Sequence, residues 1–481
     1  MNDDNAAARV IQDLRRLAAV AGPGTRLPSV RELTGRHRAS PVTVAEAIRH
    51  LVREGMVETR PGRGTYVAAR PDERRAPDLS WQTVALGTRR PGEEEMQALL
   101  ALPPAGAIPL SGGYLEAELQ PAAALGAALT RAARQPASWQ RGPVEGRADL
   151  RAWFAREVGG GLRAEDMVVC PGGQAALSTA LRALAAPGDA LLVESPTYLG
   201  ALAAAQAAGL RVVPVPADAD GVRPDQLAAA FARTGARLFY CQPLYANPHG
   251  ATLAAHRRAQ VAEAVRDAGA FLIEDDYARD LTIDGSAPPP LAADDPDGHV
   301  VYLRSLTKSA APGLRVAVLG AVGPAGARLR AARLLDDFFV AGPLQQATIE
   351  FLTAPAWARH LRALRTALRA RREALLTALR RHLPDLVDRQ PVPRGGLHLW
   401  LRLPEGTDDV ALAAAAAAEG VVVFPGRPWY AAEAPAAHLR LTYAAAGPDL
   451  MDEAVRRLCR AMDQQGCTPR ITGHGGGTPA R

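Results

Sequence analysis

Val10, Ile11, Leu14, Leu17 and Ala18 recur at the three- and four-residue spacing of one helix face, and the pattern stops at Ala21-Gly22-Pro23-Gly24. This predicts an amphipathic helix over about residues 4–20. In Leu27-Pro28-Ser29-Val30-Arg31-Glu32-Leu33, Ser29 and Glu32 stand at capping-box spacing, so a second helix starts there. Ser40 precedes Pro41 and caps a third helix with the apolar stripe Val44, Ala47, Ile48 and Leu51, which leaves Thr43, Glu46 and Arg49 facing outward. Gly55–Thr59 and Thr65–Val67 read as short strands around Arg60-Pro61-Gly62-Arg63-Gly64. Three helices and a hairpin with arginine at its tip make a winged helix-turn-helix over residues 1–75. Its third helix suits the major groove and its wing a phosphate or the minor groove.

From Ala76 to Ile108 come Pro77, Pro91-Gly92, Pro103-Pro104 and Gly106, the acidic run Glu93-Glu94-Glu95 and one apolar stretch near Leu99. Residues 76–108 therefore read as a linker with room for one helix, a tether that lets the head dimerise on DNA independently. Over residues 109–465 helix and strand patterns alternate. Helices are expected at Asp149–Val158, after Gly172-Gly173-Gln174, up to about residue 208 and from about Ala254 to Ala268. Strands are expected at Met167–Cys170, Ala190–Val193, Val212–Val215, Leu238–Cys241 and Phe271–Ile273. That order gives an α/β body, a mostly parallel sheet with helices on both faces. An arginine-rich helix from about Trp357 to Arg381 begins a smaller α+β C-terminal domain. Its arginines read as a solvated face, with a second DNA surface as the alternative. Residues 466–481, where only His474 interrupts Gly473 to Gly477, read as a disordered tail.

Length and charge add to this picture. A chain of 481 residues suits two or three domains, at about 150 residues each. Of the net charge of +6, residues 1–75 carry 14 arginines against 9 acidic residues, which leaves the body almost neutral. A polyanion-binding head follows. Cys170, Cys241, Cys459 and Cys467 are scattered without Cys-x-x-Cys spacing, so neither a metal site nor a disulfide framework is expected. The chain opens Met-Asn-Asp-Asp and has no long uncharged apolar run, so a soluble, cytoplasmic protein without membrane association is expected.

Of the 56 Lys and Arg residues, 55 are arginine, and the one lysine is Lys308. Arginine holds its proton at any working pH, whereas a lysine can lose it and form a Schiff base with a carbonyl. A leftover surface lysine is the plain alternative, but the neighbours favour chemistry. Ser305 and Arg315 flank Lys308 at spacings that can grip a phosphate, and the buried strand Ala270–Ile273 runs into Glu274-Asp275-Asp276-Tyr277. Carboxylates at that end of a strand can hold a pyridinium nitrogen protonated.

With Ser-x-x-Lys, Ala-Pro-Gly-Leu-Arg and the upstream Asp-Asp-Tyr, the chain resembles the fold-type I, aspartate-aminotransferase-like proteins that bind pyridoxal 5'-phosphate (PLP), over about residues 109–462. The resemblance implies an aldimine at Lys308. A phosphate cup would be formed by Gly173 and Gln174 at a helix start together with Ser305 and Arg315. It further implies Tyr198 stacked on the ring, although an interface or core tyrosine remains the alternative, and Asn247 and Tyr277 at the phenolic oxygen. Asp275 rather than Asp276 would meet the ring nitrogen, and strand alternation forbids both from facing the same way. Arg440, in His438-Leu439-Arg440-Leu441-Thr442, would fork onto an α-carboxylate. His249, in Asn-Pro-His-Gly, reads as a turn residue rather than a base. Arg141 stands where the family often has a tyrosine that crosses the dimer to the phosphate.

Residues 5–68 resemble the DNA-binding domain of the GntR family through Leu-Pro-Ser-x-Arg-Glu-Leu, Thr43-Val44, Glu54-Gly55 and Arg-Pro-Gly-x-Gly-Thr. Arg31, Arg38, Ser40, Thr43 and Arg63 are then expected at DNA. Pro41 replaces an arginine that commonly reaches the DNA, so base preference does not carry over; a basic domain that binds another protein is the alternative. A GntR-like head on an aminotransferase-like body is the architecture of MocR-type regulators. It implies a homodimeric transcriptional regulator that binds double-stranded DNA and senses an amino acid or other amino compound through Lys308. Because Asn247, Asp275, Lys308 and Arg440 are all retained, a working aminotransferase with a DNA-binding appendage is the alternative.

Overall fold

The computed structural model describes residues 3–68, 78–87, 93–387 and 391–467. From residue 468 the expected tail lies outside the described residues, as do residues 76–77 and 88–92 of the expected linker. The chain divides into two units, Met1–Arg89 and Arg90–Arg481.

In the first unit, α1 (Asp3–Val20), α2 (Val30–His37) and α3 (Pro41–Arg53) are followed by a wing of β1 (Val57–Arg60) and β2 (Gly64–Val67). Val10, Leu14, Leu33, Val44, Ile48, Leu51 and Val57 are buried together, so the helical stripes meet in one small core. The capping box forms: Glu32 N–H donates to Ser29 Oγ at 3.3 Å, and Ser29 N–H donates to Glu32 Oε2 at 2.7 Å. Thr43 N–H donates to Ser40 Oγ at 3.1 Å, with Pro41 at the first helical position. The wing pairs antiparallel, Val57 opposite Val67, and the loop before α2 hydrogen-bonds along it through Leu27 N–H to Thr65 O at 2.8 Å.

The expected linker holds two helices, Ser80–Leu86 and Glu93–Leu100. The second is no free tether: its Met96 and Leu99 pack against Leu199, Phe424 and Trp429 of the body. Apolar residues at its fourth and seventh positions give it a face to bury, which the acidic start of the helix masks in the sequence.

An eight-stranded sheet organises the body, in the order Met167–Cys170, Ala317–Gly320, Val300–Ser305, Phe271–Asp275, Leu238–Cys241, Ala190–Ser195, Arg211–Asp218 and Gly221–Val222. The contiguous run from Val300–Ser305 through Arg211–Asp218 is parallel, and the other pairings are antiparallel. Apolar side chains fill both faces, as a helix-covered sheet requires. The smaller domain pairs His398–Arg402 and Phe424–Pro425 with the intervening strand His438–Thr442, under helices Pro355–His382, Asp409–Ala418 and Met451–Gln464. The strand Ile108–Pro109 pairs with Val421–Val422, so the body's first residues belong to this domain.

Neither reading of the arginine-rich helix holds along its whole length. Arg371 and Arg372 are buried, paired with Glu116 and Glu118 and with Asp284 respectively. Arg365 and Arg369 donate to the carbonyls of Thr282 and Ile283. These guanidinium groups clamp the helix to distant segments that its own periodicity cannot reveal.

Candidate functional site

The C-terminal ends of the parallel strands converge on Lys308. Phe271–Asp275 delivers Asp275 and Val300–Ser305 delivers Ser305, while the lysine lies in the turn just beyond. Its Nζ sits 3.6 Å from the centre of the Tyr114 ring. Burial, then the positive charge of Arg440 and, less, Arg315, pull the Lys308 pKa down to about 7 against the opposing pull of Asp275. A large share of the amine is therefore neutral, and nucleophilic, near pH 7. PLP capture by the cofactor-free protein should accelerate with pH up to about 7 and level off above it, which the growth rate of visible absorbance reads directly. A rate still climbing tenfold per pH unit between about 8 and 10 would mean that the amine is an ordinary lysine.

Asp275 is buried and accepts from Tyr240 Oη at 2.7 Å and Gln242 Nε2 at 2.8 Å, both on Oδ2. Its Oδ1 has no partner. Burial raises its pKa to about 6 despite these two bonds, so the site lacks one cationic donor. A pyridinium N–H supplies both the charge and the missing bond. Asp276 faces away, accepting from Arg279 Nε at 2.6 Å and Tyr302 Oη at 2.8 Å.

A phosphate-sized cradle lies beside the lysine. Gly172, at φ 103°, precedes the twelve-residue helix Gly173–Leu184, and a Cβ on it would stand 2.3 Å from Arg315 Nη2. At Gly173 the same atom would meet Ser305 Cβ at 3.3 Å. Only glycine lets this helix start come so close to Ser305 and Arg315, with its free N–H groups beside them. Arg315 Nη2 donates to Pro171 O at 2.9 Å, and Thr307, which the sequence did not single out, shares a hydrogen bond with Ser305 Oγ at 2.9 Å. Gln174 accepts from Tyr198 Oη at 3.1 Å and donates to Gly200 O at 2.8 Å, which fixes the tyrosine beside the cradle.

Arg440 is buried, with Nη1 3.2 Å from Asn247 Oδ1, Nη2 bonded to Ser111 O, and Nε without a partner. Its guanidinium lies 4.4 Å from the Trp429 ring centre. Burial lowers its pKa to about 9, so it remains a cation at neutral pH, short of an anion. Tyr277 donates to Tyr245 O at 2.6 Å. Asn247 N–H donates to Gln242 Oε1 at 2.9 Å, which joins the Asn-Pro-His-Gly turn to the residue that also holds Asp275. His249 Nδ1 accepts from Ala251 N–H at 3.3 Å inside that turn. Arg141 is exposed and lies apart from these contacts. Gly113, Tyr114, His398 and Trp429 also border the lysine or Arg440, and no motif announced them.

In the head, Arg31, Arg38 and Arg63 are exposed and form no ion pair among the described residues, whereas Arg15, Arg16, Arg36 and Arg60 each meet a carboxylate. Arg38 ends α2 at φ 49°, and Tyr66 Oη donates to Arg63 O at 3.0 Å across the wing. The expectation for Thr43 is corrected: it is buried, 7% exposed, with Oγ1 2.8 Å from Ser40 Oγ. Position 43 lies one turn before Ala47 on the core face, and the Ser40 contact removes the cost of burying its hydroxyl. The exposed residues of α3 are Pro41, Val42, Glu46, Arg49, Val52 and Arg53.

Fold and site together define a PLP-binding body of fold type I carrying a winged-helix head. The sequence profile for aminotransferase class I and II matches residues 111–458, and that for bacterial regulatory proteins of the gntR family matches residues 3–67. The chain belongs to the aminotransferase class I and II family, and the GntR domain makes it a MocR-type fusion. It is similar to the HTH-type transcriptional regulator YdfD of Bacillus subtilis, at 26% identity over 90% of this chain and 91% of YdfD. It is also similar to 2-aminoadipate transaminase of Thermus thermophilus, at 32% identity over 80% of this chain and 98% of the relative. Among solved structures, LysN, the α-aminoadipate aminotransferase of Thermus thermophilus, superposes with a TM-score of 0.72 at 30% identity, covering 80% of this chain and 99% of LysN.

Proposed function

We propose that this protein is a cytoplasmic, homodimeric transcriptional regulator that binds double-stranded DNA through residues 1–75 and senses an amino compound in its PLP-binding body. The observation that carries the reading is the fusion itself, unpaired arginines on a winged-helix head joined to a body with an orphaned carboxylate, a lysine and a buried arginine set for an amino acid. The expectation of a cytoplasmic protein rests on the DNA-binding head; in addition, no helix among the described residues is long and apolar enough to cross a membrane.

Lys308 would bind the cofactor's aldehyde and Asp275 would meet its ring nitrogen. Gly173, Gln174, Ser305 and Arg315 would take the phosphate, Tyr198 the ring, and Asn247 and Tyr277 the phenolic oxygen. When bound, PLP supplies an electron sink for the α-carbon of an amino compound. Arg440 would take the carboxylate of that compound. The ligand acts on DNA only as far as it favours one state of the dimer over another. Complete retention of this machinery also favours a second reading, amino-group transfer as the main activity.

DNA binding by the full protein should fall steeply with salt, because the unpaired arginines act through phosphates. Arg31→Ala and Arg63→Ala should each weaken binding and flatten the log–log salt slope by about one unit. If neither salt nor these substitutions change a gel shift, the head binds something other than DNA.

A further inference from the structure

One polar group beside the reactive lysine has no role in the account above, His398. The register pairs His398 with Thr442 and Trp400 with Arg440, so His398 and Arg440 project from the same face of the small sheet. A Cβ on Gly113 would sit 3.4 Å from Lys308 Nζ and 3.9 Å from His398 Nε2. Amine and imidazole thus border one space, kept open because Gly113 has no side chain. His398 is only 4% exposed; Nε2 is its nitrogen nearest that space, and Nδ1, on the other side of the Cε1 that lies 3.8 Å from the same point, has no hydrogen-bond partner. A buried ring nitrogen left without a partner destabilises the fold, unless a ligand completes it.

The cofactor does not complete it, since ring nitrogen, phosphate and phenolic oxygen are provided for by Asp275, the cradle, and Asn247 with Tyr277. Arg440 takes the α-carboxylate. What remains of the amino compound is its side chain. We propose that His398 reads that side chain, and that the compound is an α-amino acid ending in an uncharged hydrogen-bonding group, an amide or a hydroxyl. The inference rests on the body being a sensor of an amino compound.

The charges around the space select this class. Those acting on Lys308 are Arg440, Asp275 and Arg315, and those acting on His398 are Arg440 and Lys308. With Asp275 committed to the ring nitrogen, a distal ammonium meets no free carboxylate. A distal carboxylate meets only an imidazole that burial, Arg440 and Lys308 hold neutral. A neutral imidazole donates at one nitrogen and accepts at the other, which matches an amide or a hydroxyl.

The test titrates the PLP-loaded full chain with near-isosteric sets while following its visible absorbance: L-glutamine with L-glutamate and L-methionine, L-asparagine with L-aspartate and L-leucine, L-serine with L-alanine. In at least one set the uncharged polar member should half-saturate at about tenfold lower concentration than the others. H398L should erase that preference, and H398Q, which returns a donor and an acceptor, should keep part of it. Charged or apolar members winning in every set, or H398L shifting all members by one common factor, would overturn the assignment to His398. A chain that shows no visible absorbance, or absorbance that no amino acid alters, would overturn the sensor reading and this inference with it.

Discussion

Lys308→Ala should abolish the visible absorbance of the PLP-loaded protein completely. Most substitutions of a Schiff-base lysine leave other lysines able to react, but here no other lysine exists. Arginine at position 308 should fail equally, because a guanidinium keeps its charge where the site requires a neutral amine. The site favours that neutral state by burial and by the proximity of Arg440. Duplex DNA binding in the absence of amino compounds should persist in both variants, since the head has its own core between Ala6 and Val67. A borohydride-reducible, yellow Lys308→Ala protein would remove Lys308 from the site.

The second large effect is expected at Arg440. Loss of a buried guanidinium that holds a carboxylate costs about 2 to 5 kcal/mol of ligand binding. Arg440→Ala should therefore weaken the response to an amino compound by roughly thirtyfold or more, as RT ln of the affinity ratio requires. Visible absorbance should remain, because Lys308, Asp275 and the phosphate cradle are still present, while its pH dependence moves upward as the Lys308 pKa loses the lowering effect of the Arg440 charge. If transamination is the main activity, the same substitution instead destroys amino-group transfer to an oxo acid while DNA occupancy ignores the substrate throughout. Measuring both quantities on one preparation each of wild type and variant separates the two.

Local rules made much of this legible. Ser29, Glu32, Ser40 and Pro41 state where α2 and α3 start, and the structure has those caps. Short apolar runs mark five of the eight strands of the large sheet, whereas Gly221–Val222, Val300–Ser305 and Ala317–Gly320 are additions of the structure, and the rarity of lysine points to Lys308. The sequence could not show which side chains distant segments bring together. Tyr114 and Gly113 reach Lys308 from the start of the body, while from the small domain His398 borders the same space and Trp429 lies on Arg440, and nothing in their own spacing refers to the site. Thr43 lies off the stripe of Val44, Ala47, Ile48 and Leu51 and is expected outside, yet Ser40 satisfies its hydroxyl locally and lets the residue turn inward. Arg371 and Arg372 looked solvated because their carboxylates, Glu116, Glu118 and Asp284, lie far away in the chain. Met96 and Leu99 read as linker because what they bury against lies a hundred residues or more further on.

In the regulator reading, one ligand event in the body sets the state of the head. That coupling is tested most directly by titrating wild-type, PLP-loaded protein on its operator duplex with the amino acid that perturbs its absorbance, recording absorbance and DNA occupancy in the same samples. Linkage requires the two curves to share a midpoint, and both should shift together in Arg440→Ala. Occupancy that stays flat across the whole absorbance transition, while the same sample passes amino groups to an oxo acid over many turnovers, would contradict the account.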